Sequence, residues 1–288
     1  MTQKPEIQAF FDEQTNTVSY LVWDPDSKQA AVIDPVLDFD HRSGHVSVKS
    51  ADVILAAAEK AGLKITRVLE THAHADHLSA APYIKQKTGA TVGIGEHIRE
   101  VQRIFRPIFN ATDVSGDGSE FDHLFKDSER FSIGALQAEV IYTPGHTPAC
   151  VSYRIGDNVF VGDTLFMPDY GTARADFPGG DARTLYRSIR RLLDLPPGTR
   201  LFLCHDYKTP GRDHYAWEST VGEQRAQRSS ARRHKRGRVC RDTAGTGRQA
   251  RYAGTAAAVD PGEYPCGAAP TGGRQRVRYL KLPVKLAQ

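Results

Sequence analysis

The sequence predicts a layered α/β fold across its first 224 residues. Two observations carry that expectation: short runs rich in β-branched and aromatic residues recur along the stretch, and the segments between them place apolar residues at helical spacing. Strands interleaved with helices bury their apolar faces by packing as layers. A third observation says where to look for chemistry, because four of the apolar runs lead directly to histidine or aspartate.

TVSYLVW (17–23) and AAVIDP (30–35) read as strands ending at Asp-Pro signals. ADVILAAAEKA (51–61) follows Ser50, an N-cap residue type, and stops at Gly62, so it reads as a helix. ITRVLET (65–71) is a strand, followed by a helical stretch over 76–88 that carries Pro82 early and closes at Gly89. TVGIG (91–95) returns to strand. Further strands are LQAEVIYT (136–143), CVSYRI (150–155), NVFVG (158–162) and RLFLC (200–204). Between the last two, Leu185, Ile189, Leu192 and Leu193 share one face of a helix over 181–194 behind Asp181.

Composition narrows the class. The chain has 288 residues, 40% hydrophobic and 25% charged, which excludes a wholly disordered chain and a collagen-like repeat. Its longest aliphatic run, Val53 to Ala58, falls far short of the roughly 20 residues that cross a bilayer. The start, MTQKPEIQAFF, has no basic stretch leading into an apolar core, so no membrane partner and a cytosolic location are expected. Cys150, Cys204, Cys240 and Cys266 form no Cys-x-x-Cys pair and suit reduced thiols.

Charge divides the chain. Residues 1–224 carry 23 Lys+Arg against 31 Asp+Glu, whereas residues 225–278 carry 13 against 3 and contain no Leu, Ile, Phe, Met or Trp. A segment so poor in apolar side chains cannot offset its ordering entropy. Its abrupt onset, its Arg/Ala/Gly bias and the return of strand-like RYLKLPV at 278–284 favour a frame-shifted translation of a GC-rich gene. A solvated disordered tail and a basic arm for a polyanion are the alternatives, and the arm lacks the interleaved aromatics that nucleic-acid binding favours. The expected units are therefore 1–224 as the patterned α/β domain, 225–278 as the basic segment, and 279–288 as a closing strand.

The four strand ends carry the chemistry. VLET (68–71) leads to His72, VIYTPG (140–145) to His146, VFVG (159–162) to Asp163, and LFLC (201–204) to His205. In a packed α/β sheet the carboxyl ends of parallel strands share an edge, where ligands bind. The first end opens a dense cluster, THAHADH, in which His72 and His74 are followed by Asp76 and His77. A His-x-His pair in extended chain can point both rings to one side, and the next turn can offer Asp76 and His77 to a neighbouring position. Five histidines and two aspartates in this pattern suit one or two metal ions. His41, His45, His97, His123, His214 and His234 have no such context and read as structural or surface residues.

THAHADH, PGHT (144–147), GDT (162–164) and the late His205 resemble the metallo-β-lactamase superfamily in order and spacing, over about residues 15–225. The resemblance implies an αβ/βα sandwich of two sheets with outer helices and a metal site at one edge. HADHLSAA, TPGHTPACVSY, VGDTLF, the stretch from Arg174 to Phe177, CHDY (204–207) and STVGEQR (219–225) look most like persulfide dioxygenases. That likeness implies glutathione persulfide and O2 as partners, sulfite and glutathione as products, and one Fe(II) held by His72, His146 and Asp163. Two imidazoles and one carboxylate leave coordination positions open for small ligands. His74, Asp76, His77 and His205 are then expected to orient ligands and move protons.

In hydrolytic relatives the same side chains complete a site of one or two Zn(II) ions, which makes a glyoxalase-II-like hydrolase of glutathione thioesters the alternative. Tyr207 reads either as a hydrogen-bond partner for a metal-bound ligand or as an amphipathic strand-end residue. Arg174 and Asp176 are expected to form a buried pair, and Arg225 to reach a glutathione carboxylate. Cys150 and Cys204 read as small buried packing residues. Nucleic acid is not an expected partner, and a homodimer is the assembly to test. After residue 225 the sequence departs from the family pattern until RYLKLP.

Overall fold

The computed structural model describes residues 4–230 and 285–286. Its first half runs β1 (Glu6–Asp12), β2 (Thr17–Trp23), β3 (Gln29–Ile33), β4 (Val36–Asp40), β5 (His45–Ser47), α1 (Lys49–Lys60), β6 (Lys64–Leu69), β7 (Leu78–Ser79), α2 (Ala81–Thr88), β8 (Thr91–Gly95), α3 (Ile98–Phe109) and β9 (His123–Phe125). The second half runs β10 (Arg130–Ile133), β11 (Leu136–Tyr142), β12 (Val151–Ile155), β13 (Asn158–Phe160), a 3-10 turn (Gly162–Thr164), α4 (Ala182–Leu193), β14 (Arg200–Phe202), β15 (Glu218–Thr220), α5 (Val221–Ser230) and β16 (Lys285–Leu286).

These strands build two six-stranded sheets, ordered β1-β2-β3-β6-β8-β9 and β10-β11-β12-β13-β14-β15, and a small sheet β16-β5-β4-β7. Alternation along each strand decides which layer a side chain enters. In β2 and β3, Val18, Tyr20, Val22, Ala31 and Ile33 face the seam between the sheets, where they meet Val140, Tyr153, Phe160 and Phe202 from the second sheet. Leu21, Ala30 and Val32 turn the other way, onto α1 and α2 through Ile54, Ala58 and Ile84. On the far side Val159, Val161, Leu201 and Leu203 pack against Leu185, Ile189 and Leu192 of α4 and Val221 of α5. Two sheets face to face with helices outside make the αβ/βα sandwich.

Strand direction then places the site. β3, β6 and β8 pair in parallel, and so do β13 and β14. Because β11 and β13 each run antiparallel to β12, the carboxyl ends of β11, β13 and β14 also share one edge.

Several boundaries differ from the sequence expectation. Residues 76–80 are not helical: they hold the short β7, and α2 starts at Ala81 with Pro82 in its first turn, where a missing N–H costs nothing. Ser50 does not cap α1, which begins one residue earlier. Its N–H and hydroxyl both donate to Asp38, at 2.9 and 2.7 Å, so a carboxylate from β4 takes the capping role. Asp181 does cap α4, accepting from the Thr184 N–H at 2.7 Å. α5 runs through the expected boundary at 224 to Ser230. The rest of the basic segment and the strand expected at 278–284 lie outside the described residues, while β16 pairs in parallel with β5.

Candidate metal centre

The first sheet supplies His72, His74, Asp76 and His77 from the loop after β6, and the second supplies His146, Asp163 and His205 from the loops after β11, β13 and β14. Ligand atoms of His72, His146 and Asp163 all lie within 4.8 Å of one another, and all three residues are buried. His146 Nε2 is 3.4 Å and His72 Nε2 3.8 Å from Asp163 Oδ2, while His205 Nε2 is 3.4 Å from both Asp163 Oδ1 and Asp76 Oδ2.

Each ring is anchored from behind. His146 Nδ1 donates to the Arg174 carbonyl at 2.8 Å and His77 Nδ1 to the Leu78 carbonyl at 2.9 Å. His205 Nδ1 lies 3.1 Å from the Asn16 carbonyl, and His72 Nδ1 lies 3.0 Å from the Thr71 hydroxyl. Such bonds fix tautomer and ring orientation in metal-ligating histidines. What remains facing inward is unsatisfied: His74 Nδ1, His77 Nε2, His205 Nε2 and Asp163 Oδ1 are buried without a hydrogen-bond partner. Buried polar atoms are nearly always partnered, so three imidazole nitrogens and one carboxylate oxygen left unpaired in a single cluster fit a bound cation.

Two glycines let these loops close. Gly162 has φ +51, and a Cβ there would stand 2.6 Å from Thr71 Oγ1, the hydroxyl that abuts His72. Gly145, at φ +133, passes so close to Leu185 that a Cβ would collide with the start of α4.

Beneath the rings lies a network that the motif reading did not include. Asp34, in the left-handed region at φ 48, accepts from the Thr71 N–H at 2.7 Å and the Thr71 hydroxyl at 2.8 Å. His74 Nε2 sits 3.1 Å from Asp34 Oδ1 and 3.3 Å from Glu70 Oε2, and the Ser79 hydroxyl donates to Glu70. Burial works against a charged His74, yet the carboxylates of Asp34 and Glu70 outweigh it and hold its pKa well above the ordinary value. Burial, reinforced by neighbouring imidazoles, pushes His72 well below its usual range, and burial brings His77 down to about 4. Burial raises Asp76, but His205, His77 and His74 outweigh it and bring the carboxyl to about 2.

Tyr207 stacks on the His205 ring, with centroids 5.5 Å apart, and remains 39% exposed at the mouth of the centre. Arg174 and Asp176 do pair bidentately, at 2.5 and 2.9 Å, but at the surface rather than buried: their side chains are 22% and 44% exposed. Arg225 is not brought to the centre. Its guanidinium donates to the Leu193 and Leu195 carbonyls at 2.6 and 3.1 Å, closing the end of α4 where a cation suits the helix dipole. Cys150 and Cys204 are buried free thiols. Among the described residues His97, His123 and His214 pair with surface carboxylates away from the cluster.

Residues 13–205 match the family model of the Metallo-beta-lactamase superfamily, and the chain belongs to that superfamily. A beta-lactamase hydrolase-like protein of Xylella fastidiosa is 54% identical over 223 residues, covering 77% of this chain and 52% of the relative. This chain thus spans about half the length of that protein. The mitochondrial persulfide dioxygenase ETHE1 of Mus musculus is 29% identical over 222 residues, covering 76% of this chain and 73% of its own. Among solved structures, ETHE1 from Myxococcus xanthus superposes with a TM-score of 0.66 at 28% identity, covering 84% of this chain and 91% of that one. No helix among the described residues is long and apolar enough to cross a membrane.

Proposed function

We propose that this chain is an Fe(II)-dependent persulfide dioxygenase whose catalytic unit spans residues 1–224. The observation that carries the reading is the buried trio His72, His146 and Asp163, two imidazoles and one carboxylate with ligand atoms within 4.8 Å of one another. These three would hold a single Fe(II), and the remaining coordination positions would be open to small ligands. Bound there, iron supplies the one-electron chemistry with O2 that no side chain can provide.

The net reaction takes glutathione persulfide, O2 and water to glutathione, sulfite and two protons. His74, tied through Nε2 to Asp34 and Glu70, keeps its ring fixed beside His72, with centroids 4.1 Å apart. Asp76, His77 and His205, with His205 Nε2 3.4 Å from both Asp76 and Asp163, would relay the released protons. Tyr207 walls the mouth against His205 and is positioned to donate its phenolic proton to substrate. Arg225, engaged with α4, has no part in this reading. Reduced thiols at Cys150 and Cys204 agree with work in the cytosol.

A second reading has its own support. Asp76, His77 and His205, with Asp163 between them and His72 and His146, offer donors for a second ion, as a zinc thioesterase would need. The hydrolase-like name of the Xylella relative points the same way.

Oxygen uptake separates the two. Protein loaded anaerobically with Fe(II) should consume one O2 per glutathione persulfide and release one sulfite. His72→Ala and Asp163→Ala should lose iron and oxygen uptake together. Absent uptake by folded, iron-loaded protein, combined with oxygen-independent cleavage of a glutathione thioester by the zinc form, would replace this reading with the hydrolase.

A further inference from the structure

We propose that Cys204, together with His74 and His205, forms a separate position for a soft, thiophilic metal ion in the floor of the centre, and that filling it inhibits the enzyme. The Cys204 sulfur and one ring nitrogen from each histidine lie within 4.8 Å of one another. One thiolate and two imidazoles suit Cd(II), Cu(I) or Zn(II), whereas the imidazole and carboxylate set around Asp163 suits iron. The position is dry: Cys204 and His205 are 2% and 1% exposed. His74 Nδ1 and His205 Nε2 are both buried with no hydrogen-bond partner, so each imidazole has a lone pair or proton unclaimed.

The strand explains how sulfur arrives there. Leu203 points outward to α4, so the next residue turns inward, beneath the rings. Cys204 Sγ sits 3.7 Å from Asp34 Oδ2, to which its thiol donates. Binding replaces that S–H bond by a sulfur–metal bond and also displaces the proton from the His74 nitrogen that takes the ion, so both protons pass to solvent; no electrons are exchanged. Cys150 has a different setting, since its sulfur lies against the Thr147 N–H and hydroxyl at 3.3 and 3.1 Å and joins no donor cluster among the described residues. An ion on Cys204 draws His74 and His205 out of the geometry in which His205 faces Asp163 and Asp76. The iron can therefore stay bound while turnover stops.

Cadmium titration of the full-length, Fe(II)-loaded protein tests this, read by the thiolate-to-cadmium charge-transfer absorbance and by metal content after desalting. The first equivalent of Cd(II) should raise the band in the parent protein and in Cys150→Ser, and not in Cys204→Ser or Cys204→Ala, with iron retained throughout. Half-inhibition of the Cys204 variants should need at least about tenfold more cadmium, a difference of about 1.4 kcal/mol in binding. A first-equivalent band that persists in both Cys204 variants, or cadmium uptake matched by iron loss, would overturn the assignment. The absorbance and metal content need no turnover, so they stand or fall apart from the dioxygenase reading.

Discussion

Burial sets the chemistry of His77. Its imidazole is held at about 4 against an ordinary 6.5, so at neutral pH the ring is uncharged and its inward nitrogen is free to bind a cation. A depressed histidine pKa means that the unfolded chain takes up the proton first. The stability it lends is therefore whole above pH 6.5 and is lost as pH falls toward about 4. His72, also pushed down by burial, acts in the same direction. Chelator-treated protein should show a falling thermal midpoint across that window, and His77→Asn should flatten the fall; a parent midpoint unchanged between pH 6.5 and 4.5 would contradict this. Local pattern made the histidines legible, because HAHADH is dense in one short stretch. Asp34 escaped since Asp-Pro reads as a turn. Yet AAVID ends an apolar strand on a carboxylate just as VFVGD does, and the rule that selects Asp163 would have selected it. Glu70 had no such signal, because its partners arrive only when the loop after β6 folds back, bringing His74 from four residues on and Ser79 from β7.

At the scale of elements, the loops after the 3-10 turn and after β14 are tied by Arg212. Its guanidinium donates to Asp169 at 2.8 Å and to both oxygens of Asp206 at 2.5 Å, and Asp206 is 2% exposed. The tie holds Tyr170 against Tyr207, with ring centroids 5.2 Å apart, beside His205. Arg212→Met leaves a buried carboxylate without its cation, which should cost roughly 3–5 kcal/mol in stability. Asp169→Asn loosens only the exposed half of the tie, so its thermal midpoint should barely move while KM rises severalfold and kcat holds. An Asp169→Asn protein with unchanged KM would reduce Arg212 to a purely structural brace. Neither loop was legible as an element. The seven-residue β1 escaped for a related reason: it is an edge strand with alternately exposed positions, so its pattern is weak. α3 places Ile98, Val101, Phe105 and Ile108 on one face, a helical period the sequence does carry, and only Pro107 near its end interrupts the pattern. Strands apolar after their first residue, such as β3 and β13, stood out because both of their faces are covered.

For the molecule as a whole, the centre straddles the seam of the sandwich. His72, His74, Asp76 and His77 belong to the first sheet, and His146, Asp163 and His205 to the second, so an ion held by the trio joins the two halves. The seam below is an apolar core built from both sheets, with Tyr20, Phe160 and Phe202 packed ring to ring at 5.0–5.5 Å. That core holds the sheets together by burial and by the Tyr20 and Tyr153 hydroxyls, which donate to the Leu203 and Glu70 carbonyls at 2.6 and 2.8 Å, and the strand ends above it carry the polar cost of clustered imidazoles and carboxylates. A metal that binds only the folded arrangement stabilises it by mass action, about 2.7 kcal/mol when free metal exceeds its Kd a hundredfold. For a unit of this size that corresponds to a rise of roughly 5–10 °C in Tm. Loading chelated protein with Fe(II) or Zn(II) should therefore raise Tm by that order, and His72→Ala, which removes the first sheet's share of the trio, should abolish most of the rise. Replacing His97, a surface histidine paired with Glu100 on α3, should leave the rise intact. Equal metal-induced shifts in all three proteins would mean that the ion does not span the seam, and that the stabilisation comes from binding elsewhere on the chain.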